Sequence, residues 1–169
     1  MAALTAVGAQ LTIPLPYVPL TLQPVFVCLS GLWLGPALGA VSQLVYLATG
    51  LMGVPVFAGG GGPQSVLAPT FGYLLAFPPA ALAAGCVGRR PSYLRALLAV
   101  LAAYGVIYVL GVAGLYANLR YVAGQQISLA GACRLGLAPL PKDLLLGPLV
   151  AYLAHQVRRR AGLRRCCGT

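Results

Sequence analysis

The sequence predicts an all-α polytopic membrane protein with six transmembrane helices. Sixty per cent of its 169 residues are hydrophobic and only 7% are charged, whereas a soluble domain carries about 25% charged residues. No charged side chain occurs in residues 1–88, a length sufficient for about four spans of roughly 20 residues each. An outer-membrane barrel would alternate polar and apolar residues. The run ALLAVLAAYGVIYVLGVAGL at 96–115 does not alternate, so helices are favoured.

Prolines and glycines divide the chain into its predicted helices. The first helix is expected to run from Met1 to Pro14, which is short for a bilayer core of about 30 Å; either the chain starts late or a partner shelters this helix. Pro16 and Pro19 should keep the next stretch extended. The later spans are predicted at about 22–34, 37–52, 70–88, 93–116 and 142–156, with a turn at Gly35-Pro36, a kink at Pro78-Pro79 and a short helix near 128–135. Residues 1–157 would form the membrane domain and 158–169 a basic tail.

The basic residues cluster at helix ends, which indicates membrane flanks rather than a nucleic-acid surface. Net charge is +10, and positive residues concentrate on the cytoplasmic side of membrane proteins. With both termini in the cytoplasm, the inner flanks hold Arg89, Arg90, Arg95, Arg158, Arg159, Arg160, Arg164 and Arg165, and the outer connections hold Arg120, Arg134 and Lys142. Eight positive residues on the inner side against three on the outer side favour a multi-pass protein of the cell membrane in this orientation.

In that orientation three connections with polar residues meet at the outer face. They are a proline-rich loop with Thr21 and Gln23, a glycine-rich loop with Gln64, and the segment leading to Asp143; the glycine run itself is Gly59, Gly60, Gly61 and Gly62. The run matches no nucleotide-binding pattern. It is either a flexible turn or a backbone that folds closely over a ligand. Convergence of the three connections predicts a site that opens outward.

Asp143 is the only acidic residue of the chain, and Lys142 precedes it. An acid near the centre of a bilayer costs about 2.5–3.5 kcal/mol, so we expect Asp143 to be functional or paired. The alternative is a helix cap, because Asp143 follows Pro141 and caps accept early helix N–H groups. A salt bridge to Lys142 is not expected to be the purpose of Asp143, since adjacent helical side chains point apart.

Several other classes of function are disfavoured by the residues present. A single acid does not suit an ion-coupled relay, and no serine has a histidine in a persuasive position for proteolysis. His155 is expected to be solvated at the cytoplasmic end of the last span. We expect no enzyme activity, cofactor or metal site. The aromatic residues expected at membrane interfaces are Tyr73, Tyr104, Tyr108, Tyr116 and Trp33, and of these only Tyr73 is also a site candidate.

Small residues on the first helix offer a smooth surface. Ala2 and Ala6 have the small-xxx-small spacing that lets helices approach closely. The surface either receives a helix of a partner or packs inside the protein.

Three stretches together resemble one known family. AALTAVGAQLTIPLPYVPLTLQP at 2–24, continuing through the glycine run, LAPTFGYLLAF at 67–77 and GLAPLPKDLLLG at 136–147 are similar to the BioY family. BioY proteins are the biotin-binding S-components of energy-coupling-factor (ECF) transporters. The resemblance implies an S-component-like bundle of six helices, an outward-facing biotin pocket, and as partners a transmembrane T-component and a pair of cytoplasmic ATPases. Some members are proposed to work without these partners.

The resemblance also implies roles for single residues. It places Asp143 in the pocket, where its carboxylate suits the N–H donors of the biotin ureido group. Family members often have a lysine three residues after this acid, but here that position is Leu146. The biotin carboxylate is therefore left to Lys142, Arg120 or amides of the glycine run. The predicted substrate site comprises Thr21, Gln23, Gly59, Gly60, Gly61, Gly62, Tyr73, Lys142 and Asp143. Ala2 and Ala6 are expected to face the T-component. The alternative functions are a stand-alone biotin carrier and an intramembrane enzyme.

Overall fold

The computed structural model describes residues 1–14, 17–89 and 92–160, and these residues fold mainly into helices. The α-helices of this part are α1 (Ala2–Gln10), α2 (Gln23–Leu34), α3 (Pro36–Leu51), α4 (Phe71–Val87), α5 (Tyr93–Ala117), α6 (Leu129–Gly136) and α7 (Leu140–Arg160). A 3-10 helix, Pro63–Leu67, precedes α4, and a π-helical turn, Asn118–Val122, continues α5. Of the charges and tail assigned above, Arg90 and residues 161–169, including Arg164 and Arg165, lie outside these ranges.

The first helix is shorter than its apolar sequence predicts. It ends at Gln10, and Thr12–Ile13 (β1) pairs antiparallel with Leu20–Thr21 (β2). The prediction that the helix reaches Pro14 is wrong because the residue before a proline is pushed from helical to extended backbone. At about 1.5 Å per residue, the nine residues of α1 span about 14 Å.

The turn between α2 and α3 forms as predicted. Gly35 has φ 84°, a conformation that glycine adopts without steric cost, and Pro36 starts α3. A methyl group at Gly39 would lie 2.8 Å from the Cα of Gly31. The glycines therefore bring α2 and α3 into close contact directly after the turn.

Helix α4 is the centre of the bundle and packs against α2, α3 and, most extensively, α5. It continues through Pro78 and Pro79. Where α4 meets α5, a methyl group at Gly72 would lie 2.7 Å from the Cα of Gly114, so the backbones nearly touch. The two helices also carry five fully buried alanines: Ala76, Ala80, Ala84, Ala99 and Ala103.

The lengths of the helices can be compared with the six transmembrane spans predicted from the sequence. One continuous helix of the described chain, Tyr93–Val122 with 30 residues and mean hydropathy 2.3, is long and apolar enough to cross a bilayer. The pair α6 and α7 meets the same criterion together, with a 44° bend between them. The apolar helices α2, α3 and α4 have 12, 16 and 17 residues. The count of six spans stays a prediction.

Candidate functional site

A cavity of about 230 Å³ opens between the loops that precede α2, α4 and α7. Its wall includes six of the residues predicted from the sequence: Thr21, Gln23, Gly59, Tyr73, Lys142 and Asp143. Aromatic and aliphatic side chains form much of the remaining wall, among them Phe57, Phe77 and Ile107. The three connections that were expected to converge do so around one mostly apolar space.

Local folding places each polar group on this wall. The β1–β2 pair holds Thr21 beside the start of α2, where Gln23 is the first helical residue. On α4, the hydroxyl of Tyr73 donates to the carbonyl of Gly136 at 2.8 Å. This bond ties α4 to the end of α6, directly before the chain turns into α7 and delivers Asp143.

The carboxylate of Asp143 is completely buried and has two partners. Its Oδ2 accepts a hydrogen bond from the hydroxyl of Tyr108 at 2.6 Å, and its Oδ1 lies 2.8 Å from Nζ of Lys142. The two adjacent side chains therefore meet in an ion pair, although adjacent helical side chains were expected to point apart. Nζ of Lys142 also donates to the carbonyl of Thr21, which draws the side chain across the cavity wall, and a buried carboxylate takes the nearest cation because water does not reach it.

The helix-cap interpretation of Asp143 does not hold. Helix α7 begins at Leu140, so Asp143 is already inside the first turn, and its own N–H donates to the carbonyl of Pro139 at 3.3 Å. Within the described chain, its carboxylate bonds a tyrosine hydroxyl and an ammonium group instead of early helix amides. The carboxylate points into the protein, toward the cavity.

The glycine run divides into one cavity residue and three that shape the loop. Gly59 lies on the wall, whereas Gly60, Gly61 and Gly62 do not. Gly60 and Gly62 have φ of 103° and 109°, and Gly61 packs against the carbonyl of Val54. The shape of the loop thus accounts for the glycines at 60, 61 and 62 without a contact to a ligand.

Two backbone amides of this loop are available to a ligand. In the part of the chain that the structure describes, the N–H groups of Ala58 and Gly59 donate no backbone hydrogen bond, although their neighbours Phe57 and Gly60 bond each other's carbonyls. Ala58 and Gly59 both line the cavity. Successive free amides are a binding element for anions.

The interfacial assignment of the tyrosines on α5 is wrong for two of them. Tyr104 and Tyr108 are buried, and Tyr108 lines the cavity and bonds Asp143. Sequence reasoning missed Tyr108, although its spacing of four from Tyr104 places both on one helix face. Tyr116 is half-buried and accepts from Arg120 at 2.5 Å.

Other expected residues lie away from the cavity. Trp33 is half-buried, and so is His155, whose Nδ1 is buried rather than solvated. Arg120 lines a separate cavity of about 190 Å³ formed by residues 120–127. Ala2 and Ala6 are half-buried against the protein's own core, so internal packing accounts for part of their small size.

Comparisons with known proteins agree on one family. A family model described as "BioY family" matches residues 1–162. A "Probable biotin transporter BioY" from Lysinibacillus sphaericus is 50% identical over 160 residues, covering 92% of this chain and 82% of the relative. A "Biotin transporter BioY" from Rhodobacter capsulatus is 35% identical over 178 residues, covering 97% of this chain and 93% of the relative.

A solved structure has the same helical architecture. It is described as the "S-component for biotin from an ECF-type ABC transporter". The two structures superpose with a TM-score of 0.81 at 25% identity, covering 94% of this chain and 86% of the solved one. The predicted S-component-like bundle is thereby confirmed.

Proposed function

The chain belongs to the BioY family, and we propose that it is the biotin-binding membrane subunit of an ECF-type uptake transporter. Its relatives and its structural neighbour are transport proteins, so the chain is a membrane transport protein and not an enzyme. The observation that carries the proposal is the buried carboxylate of Asp143 on the cavity wall, with Nζ of Lys142 at 2.8 Å. This pair is the one place on the wall where opposite charges meet among the described residues.

Adjacent opposite charges suit the ureido group of biotin. That group presents N–H donors on either side of a carbonyl acceptor. An ionised carboxylate accepts and an ammonium donates, so Asp143 takes an N–H and Lys142, at the same end of the cavity, takes the carbonyl oxygen.

The carboxylate tail of biotin then belongs at the other end of the cavity. The free amides of Ala58 and Gly59 support a role there because they can bind an anion without a basic side chain. Arg120 is excluded from this role because it lies on a separate cavity. The sulfur-containing ring and the alkyl chain of biotin would contact the apolar wall formed by Phe57, Phe77 and Ile107.

Calorimetric titration of biotin into the purified protein tests the proposal. We expect saturable binding of one molecule per chain. Lipoic acid is the matched control ligand, because it has a sulfur-containing ring and an alkyl carboxylate but no ureido group, and it should bind at least about a hundredfold more weakly if two charge-assisted hydrogen bonds are lost. A flat biotin trace from folded protein, or equal affinities for both compounds, would contradict the proposal.

The likeness to an S-component supports partnership with a membrane subunit and ATPases. For this partnership we propose a contact through α1 at Ala2 and Ala6, next to the exposed Leu4 and Val7. Ala6→Leu should reduce co-purification with a co-expressed T-component, whereas Ala130→Leu on the exposed side of α6 should not. Equal recovery of both variants would place the contact elsewhere, and biotin uptake into vesicles with this chain alone would favour a stand-alone carrier.

The proposed orientation has both termini in the cytoplasm and the cavity open to the outside. Single-cysteine proteins test it. A cysteine at Gly59, where a side chain meets open space, should react with an impermeant thiol reagent on whole cells, and the native Cys167 should react only after permeabilisation. The reverse pattern would invert the topology.

A further inference from the structure

A chain of buried hydrogen bonds connects two walls of the cavity through a residue that does not line it. The hydroxyl of Thr21 donates to Oε1 of Gln23 at 3.0 Å. Nε2 of Gln23 donates to the hydroxyl of Tyr46 at 2.6 Å, which in turn donates to the carbonyl of Val56 at 3.0 Å. Thr21 and Gln23 belong to the wall at the start of α2, and Val56 belongs to the loop 52–62, of which Phe57, Ala58 and Gly59 line the cavity.

The direction of this chain is fixed by the donors and acceptors available. A hydroxyl has one proton to donate, and Tyr46 gives its proton to Val56. The hydroxyl oxygen of Tyr46 must then accept a hydrogen bond from the side-chain amide of Gln23. The amide nitrogen of Gln23 therefore faces Tyr46, and its oxygen Oε1 faces the hydroxyl of Thr21. Every group is satisfied in one arrangement only, so loss of the Tyr46 hydroxyl breaks the link at its centre.

Tyr46 also holds the same loop through its ring. Its ring meets that of Phe57 edge-on, with centroids 5.4 Å apart at 78°, and stacks beside Phe77 at 6.4 Å. Phe57 in turn packs over the bare Cα of Gly50 and lines the cavity. Ring and hydroxyl together fix the backbone at Val56 and Phe57, next to the free amides of Ala58 and Gly59.

We propose that Tyr46 is a positioning residue that holds the loop 52–62 against the cavity and couples it to the wall at Thr21 and Gln23. For its effect on biotin, the proposal rests on the function proposed above. Tyr46 does not line the cavity, so it acts through the amides that it places. In the described chain the loop also accepts side-chain bonds from Nε2 of Gln10 at the carbonyl of Pro55 and from Nε2 of the neighbouring Gln64 at the carbonyl of Gly61, and both bonds are exposed.

Amide hydrogen exchange of peptides from the full-length protein tests the proposal without biotin. In Tyr46→Phe the ring stays and only the hydroxyl is lost, so the peptide covering 53–62 should exchange roughly tenfold faster, as expected for one buried hydrogen bond. Peptides from α5 should not change. Tyr104→Phe is the matched control: Tyr104 is 2% exposed, like Tyr46, but its hydroxyl has no partner in the described chain.

Gln23→Met provides a second variant, because it keeps the Tyr46 hydroxyl but removes its donor, together with the acceptor of the Thr21 hydroxyl, and should accelerate the same peptide about threefold. Unchanged exchange of 53–62 in both variants, or faster exchange throughout the protein, would overturn the positioning role. With biotin present, Tyr46→Phe should release the ligand about three to ten times faster. Faster loop exchange in a protein that binds no biotin would contradict the proposed function and leave the positioning of the loop standing.

Discussion

The seam between α4 and α5 and the polar wall of the cavity lie in one bundle but are held together differently. At the seam, Gly72 and Gly114 bring two backbones almost into contact, and both helices carry fully buried alanines. At the wall, Tyr108, Asp143, Lys142 and Thr21 are joined by a tyrosine–carboxylate hydrogen bond, an ion pair and a lysine–carbonyl hydrogen bond. The seam depends on the size of side chains, and the wall depends on matched donors and acceptors.

The difference has a physical cause. Inside a membrane protein, apolar burial does not distinguish a neighbouring helix from lipid, so close van der Waals packing of small residues holds helices together. A buried polar group instead needs a partner, because leaving one unsatisfied costs about 1–3 kcal/mol. A change in volume should therefore damage the seam, and a change in hydrogen-bonding capacity at constant volume should damage the wall.

The largest effect is expected from Gly72→Leu, which breaks the seam. A side chain at Gly72 has no room beside Gly114, and overpacking costs about 3 kcal/mol at the upper end of the usual range. The thermal melting temperature should fall and biotin binding should be lost with the fold. Gly105→Leu is the control, because a side chain there meets open space; equal melting temperatures for both variants would show that the seam is not size-limited.

An intermediate effect is expected from Asp143→Asn, which keeps volume and changes hydrogen bonding. The substitution removes the charged acceptor, and hydrogen bonds to charged groups are worth about 1.5–3 kcal/mol. Affinity for biotin should fall about tenfold to a hundredfold, measured by calorimetry. Gln126→Ala, exposed and off this cavity wall, should bind normally, and unchanged affinity in folded Asp143→Asn would remove the carboxylate from the site.

The smallest effect is expected from Tyr108→Phe, which leaves the carboxylate and removes one of its donors. Asp143 would keep its ion pair with Lys142, and the lost hydroxyl acts on the ligand only through the carboxylate, so affinity should fall about threefold to tenfold, or about 0.7–1.4 kcal/mol. Tyr104→Phe on the same helix face should leave affinity unchanged, because its hydroxyl bonds nothing in the described chain. A loss equal to that of Asp143→Asn would mean that Tyr108 contacts the ligand directly.

The sequence predicted the helices better than the details of the wall. Apolar runs and the glycines and prolines between them placed the bounds of α2 to α5 within about two residues, because such breakers mark the connections between helices; α4 nevertheless continues through Pro78 and Pro79. The pairing of Lys142 with Asp143 was missed because it depends on the carbonyl of Thr21, 121 residues away along the chain. Tyr108 was missed because an amphipathic ring suits both a membrane interface and a buried polar contact, and only the packing of α5 decides between them.

The central claim is that Asp143 and Lys142 hold the ureido group of biotin, and a structure of the biotin complex tests it most directly. We expect a ureido nitrogen within about 2.7–3.2 Å of a carboxylate oxygen of Asp143, the ureido oxygen at Nζ of Lys142, and the tail carboxylate at the amides of Ala58 and Gly59. A ligand bound the other way round, with its tail carboxylate at Lys142 and its ureido group at the loop, would contradict the account.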